Sequence, residues 1–230
     1  MNFITVSPYF QTKDGDKIVY PFSPPIFQSL VHENFSKELL EEGRKLTLAD
    51  DDWNSMLAGQ HKYGRSFIYK KEYREKVESY LMTYVQRFLD GMYEQYGKDY
   101  KGVHRLLAIN NDENHNVLKA GRLKLDTLWI NFSKKHDFNP PHTHTGVLSF
   151  VIYCKVPQNI FSTQADSNTK RAGEILFQYG EPISELMGNE YPVKPFDNLI
   201  FIFPAKLKHF VPSYYVDEER VSVSGNFKVI

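Results

Sequence analysis

Three histidines and one arginine carry the chemistry this sequence can offer. In Asn139-Pro140-Pro141-His142-Thr143-His144 the prolines bias the preceding backbone toward an extended form, and an extended backbone sends residues i and i+2 to the same side. His142 and His144 can therefore face one metal ion, although read alone they could equally be two solvent-exposed histidines near a turn. His209 stands in Lys208-His209-Phe210-Val211-Pro212 after an apolar run, where an unpaired imidazole would be costly. A lone histidine in such a frame is more often a hydrogen-bonded core residue than a ligand. The third feature is Arg220-Val221-Ser222-Val223-Ser224-Gly225-Asn226. Strand alternation puts Arg220, Ser222, Ser224 and Asn226 on one face and Val221, Val223 and Phe227 on the other. By itself this is a strand with a wet outer face. Taken with the histidines, it could also be the polar lining of a barrel, with a guanidinium ready to grip a carboxylate through two parallel hydrogen bonds.

The elements that must hold these groups can be read from hydrophobic spacing. Met1–Tyr20 reads as a short alternating pair of segments around the turn-forming Asp14-Gly15-Asp16. After Pro24-Pro25, the spacing of Phe27, Leu30, Val31, Phe35, Leu39 and Leu40 predicts an amphipathic helix over Ile26–Leu46. Asp50–Gly64 has no period and reads as a loop. A long helix is predicted over Lys71–Tyr96, ended by Gly97. From Leu123 the period becomes two: Leu123, Leu125, Thr127, Trp129 and Asn131 alternate with Lys124, Asp126, Leu128, Ile130 and Phe132. Val147–Val156, Gly173–Tyr179, Asn198–Phe203 and Arg220–Val229 read as further strands, with no helix between them. This pattern predicts helices first and an antiparallel sandwich or barrel second. The polar stretch Pro157–Ala172 is expected to be a loop over one mouth of the barrel, a candidate lid. Residues 1–230 are expected to form one domain, with N-terminal strands and supporting helices over 1–115 and the β core over 116–230.

Composition excludes several classes. Lys plus Arg and Asp plus Glu both total 28, and neither half of the chain is basic enough to advertise nucleic acid or an anionic membrane surface. The longest apolar runs, such as Leu199–Phe203, fall far short of the roughly 20 residues a bilayer crossing needs, and no basic-then-apolar leader opens the chain. A soluble, cytoplasmic protein is expected, with its oligomeric state, including a homodimer, left open. The single cysteine, Cys154, can form no internal disulfide and belongs to no thiolate metal motif; in its hydrophobic run it reads as a small core residue. Any metal must use histidine or carboxylate. Trp53 and Trp129 are expected to be packing residues.

The order His142, His144, His209, Arg220-Val221-Ser222 resembles the Fe(II)- and 2-oxoglutarate-dependent oxygenases. Those enzymes carry an HxD or HxE motif, a distal histidine and then an Arg-x-Ser strand. The segments NPPHTHTGVLSFVIY and IFPAKLKHFVPSYYVDEERVSVSGN are similar to a branch of those oxygenases found in bacteria and tailed phages. The resemblance runs over about Leu123 to Ile230 and is weak before that. It implies an α+β, mainly β protein whose core is a double-stranded β-helix, the cupin-like jelly roll, with the N-terminal helices packed on it. It also implies Fe(II) as cofactor, with 2-oxoglutarate and O2 as cosubstrates, and a host-cytoplasm location if the chain is phage-encoded. The implied reaction is decarboxylation of 2-oxoglutarate to succinate and CO2, coupled to oxidation of a C–H bond, most often hydroxylation.

On this resemblance His142 matches the first ligand, His209 the distal ligand, and Arg220 with Ser222 the anchor of the distal 2-oxoglutarate carboxylate. His144 stands where the family has a carboxylate. A third imidazole there leaves the site one charge more positive and keeps Asp137, the closest upstream carboxylate, as an alternative ligand; His144 is the expected one. Tyr153 and Asn131, on strands next to the HxH turn, are candidates for contact with 2-oxoglutarate or substrate, each with a structural role as the alternative. Two other functions fit the same residues. One is a cupin-like three-histidine metalloenzyme, of Zn(II) or Fe, that needs no 2-oxo acid; the other is a non-catalytic jelly-roll binding module. Arg220 discriminates against the first, and metal retention against the second.

Overall fold

The computed structural model describes residues 9–19, 24–96, 123–161, 171–181 and 189–230. The strands are β1 (Tyr9–Gln11), β2 (Lys17–Val19), β3 (Ile26–Leu30), β4 (Arg65–Ile68), β5 (Leu123–Ser133), β6 (Asn139–His142), β7 (Leu148–Lys155), β8 (Ile175–Gln178), β9 (Glu190–Val193), β10 (Leu199–Pro204), β11 (Lys208–Val211) and β12 (Arg220–Val229); the helices are α1 (Glu33–Arg44) and α2 (Lys71–Tyr96). Eight strands form one sheet in the order β1-β2-β3-β10-β7-β12-β5-β4, and four form a second in the order β6-β11-β8-β9. Every strand pairing is antiparallel.

Alternation along the central strands sorts the core into two parts. Leu148, Phe150 and Ile152 of β7, Ile200 and Ile202 of β10, and Val221 and Val223 of β12 pack outward with α1 and α2. Val151, Tyr153, Leu199, Phe201 and Phe203 face the other way, where they meet Ile175 and Phe177 of β8 and Val211 of β11. The helix α2 spans the residues the spacing predicts. Its Val77, Leu81, Val85, Phe88 and Met92 are at most 3% exposed, one stripe of a 3.6-residue period, and each such side chain contributes about 1.5–3 kcal/mol by leaving water.

Three expectations need correction. The helix predicted over Ile26–Leu46 is a strand followed by a helix: Ile26–Leu30 pairs with β10, and α1 starts after His32, whose ring accepts from the Asn34 N–H as an N-cap. Three-to-five spacing across a strand–helix junction mimics a single helix. The simple alternation read over β5 is broken opposite the Asn226/Phe227 step of β12, where Thr127 and Leu125 take successive partners and Asp126 is the extra residue. This bulge lets Leu123, Leu125, Leu128, Ile130 and Phe132 all join the helix-facing core, while Trp129 and Asn131 border the cavity on the other face. The division into helices first and barrel second is also too sharp, since β1 to β4 complete the large sheet. Of the stretch expected as a lid, 162–170 lies outside the described residues; Gln158–Phe161 is a 3₁₀ turn with Ile160 fully buried.

Candidate metal centre

The two distant histidine segments meet because β6 and β11 are neighbours and His209 is the register partner of His142. His144 lies two residues beyond His142, where its backbone N–H donates to the Ala205 carbonyl at 2.8 Å and the Lys206 ammonium donates to its own carbonyl. The ring centroids form a near-equilateral triangle: 4.9 Å for His142–His144, 4.4 Å for His142–His209 and 4.9 Å for His144–His209. One nitrogen from each ring lies within 4.8 Å of the others, and among the described residues this is the group of histidine, cysteine or carboxylate side chains disposed for a metal ion.

Backbone carbonyls orient two of the rings. Nδ1 of His142 lies 2.7 Å from the Pro140 oxygen, and Nδ1 of His209 lies 3.0 Å from the Leu207 oxygen. A carbonyl only accepts, so each Nδ1 carries the proton and each Nε2 presents its lone pair to the centre. Nε2 of His144 is 3.1 Å from Nε2 of His209. Metal–imidazole bonds of about 2.1 Å at right angles put two nitrogens about 3 Å apart, so this spacing suits adjacent positions on one ion. Desolvation lowers the pKa of all three histidines, that of His144 to about 4, with neighbouring rings adding to the effect at His144 and His209. Neutral imidazoles are the form that ligates.

The polar groups of the large sheet line the same cavity, whose volume is about 120 Å³. Ser222 pairs with Asn131 on one side and Tyr153 on the other, so these three form a row across β5, β12 and β7. Ser224 sits in the next row between Trp129 and Val151. Arg220, 4% exposed, donates from Nη1 to the Gly173 carbonyl at 3.1 Å, and its Nε is buried with no hydrogen-bond partner. Gly173 is the turn residue that makes this possible, at φ +68, a conformation that disfavours a side chain. Tyr153 is almost fully buried and its pKa is pushed up to about 12 by desolvation, against the pull of Arg220; it stays a protonated donor. Asn131 accepts from Ser66 Oγ at 2.8 Å, so part of its amide is engaged in the sheet.

All seven sequence-derived site residues, His142, His144, His209, Arg220, Ser222, Tyr153 and Asn131, thus border one cavity. Asp137 is elsewhere. Its Oδ1 accepts from the Lys62 and Tyr63 N–H groups and its Oδ2 from those of Gly64 and Lys134, so it clamps the 61–64 turn and lies outside the metal-ligating group. Sequence reasoning missed two features. Trp129, expected to be packing, lies 5.5 Å from His144 ring to ring and borders the cavity; sharing the parity of Asn131 was the available signal. The 56–59 segment also lines the cavity, and nothing in its aperiodic sequence marked it.

Donors and cavity fit the ion and acid that the resemblance implies: three converging lone pairs for a metal, and an unpartnered buried guanidinium nitrogen for an anion. Residues 127–226 match the family model described as "Putative 2OG-Fe(II) oxygenase". Among solved structures, a Pseudomonas putida prolyl-4-hydroxylase superposes with a TM-score of 0.52 at 12% identity, covering 89% of this chain and 92% of that one. HygX from Streptomyces hygroscopicus, with nickel, 2-oxoglutarate and hygromycin B bound, gives 0.50 at 9%, covering 89% and 82%. JOX2 in complex with 2OG, Fe and JA gives 0.51 at 10%, covering 89% and 68%. No curated protein matches the chain. The fold is therefore that of the double-stranded β-helix oxygenases. Over residues 127–226, under half of its length, the chain is similar to the 2OG-Fe(II) oxygenases.

Proposed function

We propose that the chain is a hydroxylase in which His142, His144 and His209 hold Fe(II) without a protein carboxylate, while Arg220 and Ser222 hold the distal carboxylate of 2-oxoglutarate. The observation that carries this reading is the single cavity that contains both the imidazole triangle and the Arg220 guanidinium. Bound Fe(II) with 2-oxoglutarate supplies the oxidative decarboxylation that drives C–H oxidation.

The chain's own residues supply placement. The Pro140 and Leu207 carbonyls keep His142 and His209 in the ligating tautomer. The guanidinium offers a rigid fork to a carboxylate, and Tyr153, held protonated, offers a second donor. Val151, Phe203 and Trp129 give the cavity apolar walls that exclude water. Arg220 favours this function over a three-histidine enzyme that uses no 2-oxo acid, because a buried guanidinium nitrogen with no acceptor has no use in such a site. We place the whole chain in one domain acting in the cytoplasm, with residues 1–115 bracing the core of 116–230. Among the described residues no helix is long and apolar enough to cross a membrane.

The test is anaerobic reconstitution with Fe(II), followed by O2 and measurement of succinate from 2-oxoglutarate. The wild type should form succinate even without its substrate, uncoupled and slowly, and His209→Ala should form none. No succinate from the wild type over a broad substrate panel would refute the proposal.

A further inference from the structure

The cavity that gathers the three imidazoles is positive and has nothing negative to balance it. Its lining includes Arg220, His142, His144 and His209 and, among the described residues, no Asp or Glu. The acids that flank its residues in sequence are all engaged elsewhere. Asp137 takes four backbone N–H groups, Glu219 is paired with Arg44, and Glu174 is held by Arg171 at 3.3 Å. Arg220 is 4% exposed, yet its guanidinium has a neutral acceptor, the Gly173 carbonyl, and a buried Nε with none. Beside the imidazoles, the Lys206 ammonium donates to the His144 carbonyl at 3.1 Å.

A divalent ion held by three neutral imidazoles keeps its full double charge. A face of two histidines and one carboxylate cancels part of that charge; a third imidazole cancels none of it. Arg220 starts about 13 Å along β12 from Ser224, whose row carries Trp129 against His144. The guanidinium thus shares a small, poorly solvated cavity with the ion, where like charges repel far more strongly than through water. A buried charge without a counter-charge is itself costly. Metal and Arg220 therefore oppose each other until an anion joins them.

We propose that 2-oxoglutarate is the counter-ion this carboxylate-free cavity lacks, so that the chain's hold on its metal is regulated by the cosubstrate. This rests on the oxygenase reading above and deepens it. One carboxylate of the dianion faces the ion and the other faces Arg220, so both positive groups are neutralised by one molecule. The free chain holds the ion more weakly than the complex does, and because linkage is reciprocal the ion tightens 2-oxoglutarate by the same factor. Iron occupancy at limiting iron then follows the supply of 2-oxoglutarate. His144, which stands where a carboxylate would relieve this dependence, and Arg220, which opposes the ion, set its size.

The test measures Zn(II) affinity of the full chain by competition with a chromophoric chelator, with and without 2-oxoglutarate. Zn(II) binds without turnover, so no step depends on activity. In the wild type 2-oxoglutarate should tighten Zn(II) by about a hundred-fold, near the upper end of ordinary coupling between sites. His144→Asp should hold Zn(II) alone about ten-fold more tightly than the wild type, and its tightening by 2-oxoglutarate should shrink by a similar factor. Arg220→Gln should also hold Zn(II) alone more tightly than the wild type, whereas Arg220→Lys, which keeps the charge, should not. A gain in affinity is a result that a misfolded variant cannot give. Unchanged coupling in a His144→Asp chain that binds Zn(II), or Arg220→Gln and Arg220→Lys chains that bind Zn(II) alone no better than the wild type, would each overturn the proposal while the wild type still binds 2-oxoglutarate. A wild type that binds no 2-oxoglutarate, with or without Zn(II), would instead overturn the oxygenase reading, and this proposal with it.

Discussion

The eight-stranded sheet shows one face to α1 and α2 and the other to the four-stranded sheet, and the two faces follow different rules. Toward the helices lie Leu128, Ile130, Phe132, Ile152, Ile202, Val221 and Val223, an apolar surface that meets Leu39, Val85 and Phe88. Their immediate neighbours in sequence, Trp129, Asn131, Tyr153, Arg220, Ser222 and Ser224, border the cavity. The helix-facing side obeys the economy of burial, and the few hydroxyls within it are satisfied, those of Tyr69 and Tyr84 donating to the Leu39 and Leu30 carbonyls. The cavity side sinks a guanidinium, three imidazoles and several hydroxyls, and Arg220 keeps a buried nitrogen without a partner. Stability and chemistry are thus carried by alternate residues of the same strands, and substitutions one position apart should fail in different ways.

The largest effect should come from the cavity side. His209→Ala removes one corner of the triangle, and metal content after Fe(II) loading and desalting should fall to background together with succinate formation. The metal-free variant should unfold at about the same denaturant concentration as the metal-free wild type, or later, since it removes a buried polar ring. A variant that kept stoichiometric iron would break the division between faces. Next is the helix-facing side. Phe88→Ala, at 1% exposure, should cost about 3–5 kcal/mol of unfolding free energy, while iron content and succinate yield per folded molecule stay unchanged. Urea denaturation alongside activity would show whether the two losses separate.

A smaller effect is expected from Arg220→Leu. The loss of charge-assisted hydrogen bonds, each about 1.5–3 kcal/mol, should weaken 2-oxoglutarate by ten- to a hundred-fold, with metal binding intact. Titration of the Zn(II)-loaded protein measures both. If the variant bound 2-oxoglutarate as tightly as the wild type, Arg220 would belong to the structural side of the comparison and the three-histidine enzyme without a 2-oxo acid would gain ground.

The same division explains what could be read from sequence. The face that follows burial was legible: α2 emerges over Lys71–Tyr96, and five of the predicted strands lie within a residue or two of their expected bounds. The chemical residues were legible because HxH, a lone histidine in an apolar frame and Arg-x-Ser are unusual in buried strands. What escaped had no period to show it. β6, β9 and β11 are four residues each, too short for an alternation to stand out. The Asp126 bulge shifts the phase of β5 in mid-strand, and only the partner strand reveals it. His61 lies in an aperiodic loop, and its place beside Asp137 depends on contacts more than seventy residues apart in the chain.

Acid should expose the asymmetry more gently. In the metal-free protein His61, His142, His144 and His209 all have pKa values lowered by desolvation, His144 to about 4. In the unfolded chain each would titrate near 6.5. Below that pH the unfolded state binds more protons than the folded one, so stability is complete above about pH 6.5 and is lost as pH falls toward the folded-state values. Each such histidine contributes up to about 1.4 kcal/mol per pH unit in that window. His144→Gln removes one of these protons. Between pH 6.5 and 5.5 the metal-free variant should therefore lose about 1 kcal/mol less than the wild type, by urea denaturation at each pH. Phe88→Ala, whose deficit contains no titrating group, should keep the wild-type slope at a lower stability throughout. Identical slopes for His144→Gln and the wild type would mean that the His144 ring is solvated and free to protonate, and the cavity face would then lack the desolvated imidazoles on which its metal chemistry depends.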